Sequence, residues 1–241
     1  PDFKTPQHIV EAAIKALRDG HHGYTPANGI LALREAVAKD LHRRHGVEVD
    51  PDLVVAMPGG KPTMFFAILM FGTPATEIMY PDPGFPIYRS MIQYTGAKAV
   101  PIALREENEF AFSADEVLAG ITPRTSLIIL NSPGNPDGRV LTMDELRAAV
   151  TRARELDAVI ASDECYTELN WAGDRPTVSI LDPRVIDGSR HNTLAVCSLS
   201  KQSNLAGYRA GFVGGCSQVL GQVLGVRKHL GLMVPAPVQA A

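Results

Sequence analysis

Lys201 lies in the string Ser198-Leu-Ser-Lys-Gln-Ser-Asn-Leu-Ala-Gly-Tyr-Arg209, which directly follows a run of apolar residues that reads as a buried strand, Thr193–Cys197. An unpaired ammonium is costly to bury. Condensation with a carbonyl removes the difficulty, because a Schiff base consumes the free amine. Ser198 and Arg209 flank the lysine with a hydroxyl and a guanidinium, and the guanidinium suits bidentate phosphate contact. Taken alone, a strand-end lysine also reads as a solvated surface group. A second string is Ala161-Ser-Asp-Glu-Cys-Tyr166. Asp163 closes another buried run, where a carboxylate can pair with a protonated ring nitrogen and keep a heteroaromatic ring electron-poor. Tyr166, three residues on, could reach a phenolic oxygen of the same ring. The competing reading makes Asp163 a helix cap, and the string does not choose between them.

Three further strings fall in turns. Asn131-Ser-Pro-Gly-Asn-Pro-Asp-Gly138 has two X-Pro bonds and two glycines, the makings of a tight turn open to a cis bond. It places Asn135 to donate to a ligand oxygen, although as a turn alone it says little. Met57-Pro-Gly-Gly-Lys-Pro-Thr63 is a glycine-rich turn whose backbone N–H groups at Gly60 and Lys61 can face an anion. It is not a Walker A loop, since the first glycine of that motif would fall at Val55 and Pro62 follows the lysine; no G-x-G-x-x-G fingerprint occurs either. In Pro81-Asp-Pro-Gly-Phe-Pro-Ile-Tyr88, Phe85 sits in a loop after a strand. It reads equally as a ring-stacking residue or as a plug of the core.

The elements that must position these residues are visible as seven short apolar, β-branched runs: 53–57, 77–80, 99–103, 126–130, 158–162, 193–197 and 210–214. Most are continuous rather than alternating, as for strands covered on both faces. Segments of helical period lie between them. Gln7–Arg18 carries Ile9, Ala13, Ile14 and Leu17 on one face, and Leu31–Arg44 carries Leu33, Val37 and Leu41. Met143–Glu155 opens with Thr142 as N-cap and Glu145 at the capping-box position. Gln218–His229 reads as a core helix that ends in three basic residues. The alternation predicts an α/β fold, a three-layer sandwich around a mostly parallel seven-stranded sheet. Its ligand is expected outside the carboxyl ends of the strands, where the Pro/Gly turns cluster.

Together the five strings resemble pyridoxal-phosphate-dependent aminotransferases of fold type I, the aspartate aminotransferase-like class I/II group, over essentially the whole chain. The succession Asn-Pro-x-Gly, Ser-Asp-Glu-x-Tyr, Ser-x-Ser-Lys-(x)7-Arg carries the resemblance. It implies Lys201 as Schiff-base lysine and proton shuttle, and Asp163 as partner of the pyridine nitrogen. It also implies Tyr166 and Asn135 on the phenolic oxygen and Phe85 stacked on the ring. Gly60, Lys61, Ser198 and Arg209 would hold the phosphate of pyridoxal 5′-phosphate. His21-His22-Gly23-Tyr24-Thr25-Pro26 is similar to the family segment whose tyrosine reaches the neighbouring subunit's phosphate, so Tyr24 implies a homodimer. The implied activity is ping-pong transfer of an amino group between an amino acid and a 2-oxo acid, 2-oxoglutarate/glutamate being one candidate pair. A β-lyase, a decarboxylase, a cyclising synthase or an inactive truncated fragment is the alternative on the same scaffold.

The sequence departs from the family at Asp137, which stands for the usual Thr and adds a charge near the site. The chain opens on Pro1, and nothing after Gln239 supplies the arginine with which the family's small domain grips a substrate carboxylate. The expectation is a cofactor-binding domain over residues 1–228, with its N-terminal arm largely missing, and the start of a connection to an absent small domain over 229–241. A chain this short is expected to transaminate weakly or not at all. The first half resembles aspartate-type enzymes, the later strings succinyldiaminopimelate transaminases. Among 241 residues, 45% are hydrophobic and 20% charged, and the net charge of −3 gives no electrostatic footprint for nucleic acid or an anionic membrane. The longest apolar run, Met64–Phe71, is too short to span a bilayer, and no signal peptide is visible. Cys165, Cys197 and Cys216 read as reduced, buried thiols of a cytoplasmic protein. His21, His22, His42 and His45 read as solvated side chains, so no metal site is expected.

Overall fold

The computed structural model describes residues 3–110, 114–171 and 177–241. Each of the seven apolar runs forms a strand: β1 (Val54–Met57), β2 (Glu77–Asp82), β3 (Lys98–Ala103), β4 (Thr125–Asn131), β5 (Val159–Asp163), β6 (Thr193–Ser198) and β7 (Gly211–Gly215). They pair into one sheet in the order β1-β7-β6-β5-β4-β2-β3. Strands β2 to β6 run parallel, and β7 lies antiparallel to both β6 and β1. The chain builds outward from β2 to β3 and then returns to β4, β5 and β6. The carboxyl ends of β2, β4, β5 and β6 therefore flank a topological switch point, where α/β sheets place ligands.

The helices are α1 (Gln7–Arg18), α2 (Leu31–His45), α3 (Gly60–Phe71), α4 (Ile87–Thr95), α5 (Ala114–Gly120), α6 (Met143–Glu155), α7 (Pro183–Ile186), α8 (Leu199–Gln202), α9 (Ser217–Leu230) and α10 (Ala236–Ala240). They cover both faces of the sheet. On one face Val37 and Leu41 of α2 and Leu146 and Val150 of α6 pack on Ile128, Leu130 and Ile160. On the other, Met64, Phe66 and Ile68 of α3, Ile92 of α4 and Leu220 of α9 pack on Leu127, Ile129 and Leu194. Successive residues of β4 thus enter opposite cores, which is why its sequence is apolar without alternation.

Local signals act as expected in α6, where the Thr142 hydroxyl accepts from Glu145 N (3.2 Å) and the Glu145 carboxylate accepts from Thr142 N (2.7 Å). In α1 the buried position is Ala16, and Leu17, expected on the inward face, is exposed. This helix packs chiefly on the short α10 rather than on the sheet, so its inward face is narrower than its apolar stripe. His45 also departs from expectation. Its side chain is 12% exposed and lies 3.7 Å from Glu168, because the last turn of α2 docks on the 3-10 turn Thr167–Leu169 through Arg44 and His45. Burial lowers its pKa. His42 keeps the solvated character expected of it and pairs with Glu48. Residues 231–241 fold back onto the domain: Gln239 is buried, accepts from Ile30 N (2.9 Å) and donates to Thr25 Oγ1 (2.9 Å). Among the described residues no helix is long and apolar enough to cross a membrane.

Candidate active site

All the cavity residues singled out in the sequence line one cleft of about 510 Å³ at the carboxyl ends of the strands. Gly60, Lys61, Phe85, Asn135, Asp163, Tyr166, Ser198, Lys201 and Arg209 are all in its wall. Tyr24 is not; it lies fully exposed in the loop between α1 and α2.

Lys201 occupies the third residue of α8, a single helical turn that starts where β6 ends. The Ser198 hydroxyl caps this turn by accepting from Ser200 N (3.2 Å). The ammonium is not buried as the strand-end argument supposed: Lys201 is exposed and borders the cleft. One helical turn carries it out of the core, so the burial expected of a strand-end residue is absent, although it lines the same cleft as Asp163.

Asp163 ends β5 at the floor of the cleft and is 6% exposed. Its Oδ2 accepts from the Tyr88 hydroxyl at 2.7 Å and its Oδ1 from Cys165 N at 3.2 Å. No helix begins there, so the capping alternative fails. Burial pushes its pKa up, and hydrogen bonds from Cys165 and Tyr88 oppose the shift. A buried carboxylate held only by neutral donors is the environment in which an arriving cationic group is favoured.

Opposite this floor the cleft is basic. Arg209 sits in the left-handed region (φ 53°) and donates from Nη2 to Pro58 O (3.0 Å) and from Nη1 to Ala206 O (2.9 Å). Its guanidinium leans on the glycine turn so closely that a Cβ at Gly59 would meet Nη2 at 2.5 Å, while the φ of 97° there already excludes most side chains. A Cβ at Gly60 would collide with Cys165 Sγ. The turn leads into the unsatisfied N–H groups of α3, so guanidinium, helix terminus and Ser198 form a cradle for a doubly charged anion.

Phe85 is half-buried on the wall. Its ring meets Tyr88 edge-on (5.9 Å, 87°), and Lys61 Nζ lies 5.2 Å from its centroid. Asn135 Nδ2 lies 3.5 Å from the Tyr166 hydroxyl, so both present polar hydrogens to the same side of the cleft. The sequence reading passed over Asn131, which braces this corner: its Oδ1 accepts from Asn135 N (2.8 Å) and its Nδ2 donates to Asp163 O (2.9 Å). Nor do the sequence strings give Tyr88 a role, and they leave Cys165 reading as a structural thiol. Cys165 lines the cleft, and burial together with the Asp163 charge pushes its thiol well above the usual range, so it stays protonated. Its place between Asp163 and Tyr166 was the available signal. Asp137 is outside the wall. It accepts from Arg139 N (3.2 Å) and overlies Gly134, so its carboxylate serves the turn.

Glu164, next to Asp163, is buried beneath the site and accepts from Ile180 N at 2.7 Å. Burial raises its pKa from 4.5 to about 7. A raised folded value means stability that is fully present below the unfolded value of 4.5 and lost as pH rises through about 7. Glu164→Gln keeps the acceptor without the charge. It is expected to melt several degrees above the wild type at pH ~8.5, an effect on the order of 3 kcal/mol, with the gap closing toward pH ~5. Equal melting temperatures at the higher pH would refute this.

The cleft therefore offers an amine, a buried carboxylate, an aromatic wall and an anion cradle. These match an aromatic, cationic, phosphorylated carbonyl compound; the volume suits a ligand of that size. Comparison with known proteins points the same way. The family described as aminotransferase class I and II matches over residues 1–241. The 4-dedimethylamino-4-oxo-anhydrotetracycline transaminase OxyQ of Streptomyces rimosus is 43% identical over 97% of the chain and 61% of its own length. The aspartate aminotransferase of Bacillus subtilis is 31% identical over 95% of the chain and 58% of its own length. The structure of N-succinyldiaminopimelate aminotransferase from Mycobacterium tuberculosis superposes with a TM-score of 0.91 at 29% identity, covering 99% of the chain and 62% of that protein. The chain thus spans about three fifths of the length of these relatives.

Proposed function

The chain belongs to the class I and II aminotransferases, and from that premise we propose that it is the cofactor-binding part of an enzyme that moves an amino group from an amino acid to a 2-oxo acid. Members of this family use pyridoxal 5′-phosphate, and the residues present fit it. The observation that carries the reading is the convergence of Lys201, Asp163 and Arg209, from three separate strand ends, on one cleft.

When bound, the cofactor supplies an electron-withdrawing ring that stabilises negative charge at the substrate α-carbon. The protein's part is to hold and orient. Arg209, Ser198 and the N–H groups at Gly60 and Lys61 bind the phosphate. Asp163 would stand as a fixed anion for the ring nitrogen, Phe85 would cover the ring, and Asn135 and Tyr166 would donate to the phenolic oxygen. Burial and the Asp163 charge raise the Tyr166 phenol, which keeps its proton for donation. Lys201 Nζ is the amine that anchors the cofactor's aldehyde carbon. Once free, it would take the substrate's α-proton and deliver it to the aldehyde carbon, on the far side of the amino nitrogen. Exposed Tyr24 is assigned to the phosphate of a neighbouring copy in a homodimer. Residues 1–228 are assigned to the cofactor-binding domain, and 229–241, which fold back onto it through Gln239, to the start of a connection toward a smaller domain; the assigned compartment is the cytoplasm.

The test is reconstitution. Purified protein titrated with pyridoxal phosphate is expected to gain a visible absorbance band, and borohydride should fix the cofactor to the peptide bearing Lys201. The whole enzyme of which this chain is the cofactor-binding part should then convert amino acids with 2-oxoglutarate to glutamate. A folded sample with no band would overturn the cofactor assignment. A band with ammonia, carbon dioxide or a cyclised product instead of glutamate would overturn the amino-transfer assignment.

A further inference from the structure

The five sequence strings assign no task to Tyr88, yet it makes the shortest contact to the floor of the cleft. We infer that Tyr88 is the positioning residue that keeps Asp163 anionic and aimed into the cleft, and that it thereby sets which partner, Asp163 or the cofactor's ring nitrogen, holds their shared proton. The inference rests on the cofactor assignment proposed above.

Four observations carry it. Tyr88 is 0% exposed, so its hydroxyl has no solvent to bond and must be satisfied inside. It is satisfied by Asp163 Oδ2 at 2.7 Å, across 75 residues of sequence. The other contacts to the carboxylate come from Cys165, whose amide donates to Oδ1 at 3.2 Å and whose thiol also donates, so the phenol makes the shorter of the two O–H and N–H contacts and is, among the described residues, the one donor from outside β5 and its turn. Finally, Tyr88 lies in the first turn of α4, three residues after Phe85, and their rings meet edge-on. One helical turn thus fixes both the aromatic wall and the state of the carboxylate.

The direction of the effect follows from hydrogen bonding. Donation to a carboxylate favours its charged form, and a carboxylate so held is a weaker base. With Tyr88 in place, a proton shared between Asp163 and a pyridine nitrogen rests on nitrogen. Without the phenol, Asp163 becomes more basic and draws that proton to itself. Phenol burial works in the same sense: desolvation and the adjacent carboxylate push Tyr88 well above its ordinary range, so it remains a donor.

The experiment compares wild type, Tyr88→Phe, and protein carrying 3-fluorotyrosine at position 88, a stronger donor of nearly the same shape. Each is loaded with pyridoxal phosphate labelled with nitrogen-15 in the ring. In the wild type the ring nitrogen resonance should be that of a protonated pyridine. In Tyr88→Phe it should move toward the unprotonated position, and cofactor affinity should fall about tenfold or more. The fluorotyrosine protein should remain fully protonated with undiminished affinity. A purely structural role, exerted through the Phe85 contact, would weaken binding yet leave the resonance in place. An unmoved resonance in Tyr88→Phe therefore overturns the inference, whatever the affinity. If Tyr88→Phe binds too weakly to load, a fluorotyrosine protein whose resonance has moved toward the unprotonated position overturns it. Wild-type protein that takes up no cofactor overturns instead the assignment on which the inference rests.

Discussion

In the whole enzyme, Lys201→Ala is expected to lower amino transfer by about four orders of magnitude or more while leaving the fold intact. The residue is exposed and belongs to no core cluster, so its loss removes a reactive group and little packing. The size of the effect follows from the proposed mechanism, in which two tasks fall to one atom: Nζ would both anchor the cofactor and carry the α-proton. A milder account is available, since Lys201 shares the cleft with Lys61 and Arg209 and contributes positive charge toward an anion. Lys201→Arg separates the two. Arginine preserves the charge but stays protonated, and it can neither condense nor accept a proton at neutral pH. It should be as inactive as alanine, and a small primary amine added to Lys201→Ala should restore part of the proton transfer, read as α-deuterium loss from a labelled donor. Near-wild-type turnover in either variant would remove Lys201 from the mechanism.

How much of this was legible in the chain depended on whether a residue's task was local. The seven strands were readable because each is apolar on both faces, and the structure extends most of them by only one or two residues, to polar ends such as Asn131, Asp163 and Ser198. Those ends belong to the site, so the periodicity stopped where function began. Helix α3 was harder to see. Every residue from Met64 to Phe71 is apolar, and a helix apolar all round shows no stripe. The site strings marked their own turns correctly, because glycine, proline and asparagine constrain the backbone within a few residues. Tyr88 was out of reach: its partner is a strand end 75 residues away, and a tyrosine in a helix looks the same whether or not it meets a carboxylate. His45 and Leu17 failed for the same reason, in opposite directions. The packing of α2 on Glu168 and of α1 on α10 decides their exposure, and neither contact is written in the helix that bears the residue.

The second large effect falls at the floor of the cleft. Asp163→Asn is expected to reduce turnover by about a hundred- to a thousandfold, because a neutral amide cannot stand as counter-ion to a ring cation. Replacement should spare the local geometry. An asparagine oxygen can accept from Cys165 N, and its amide can donate to the Tyr88 hydroxyl, which can turn to accept. The same substitution should make the empty protein more stable. Burial raises the pKa of Asp163 in the folded state. A raised folded value adds stability that is present in acid and lost as pH climbs past it, so once pH lies above that value the wild type carries a buried charge that asparagine lacks. Without cofactor, Asp163→Asn should therefore melt above the wild type at pH ~8, and the difference should shrink on acidification. Saturating pyridoxal phosphate should reverse the order, since only the carboxylate gains a cation to face and the ligand stabilises whichever form binds it more tightly. The reversal distinguishes a functional charge from a structural one: a carboxylate kept for the fold would make Asp163→Asn the less stable protein with or without cofactor, and that outcome would remove Asp163 from its assigned role.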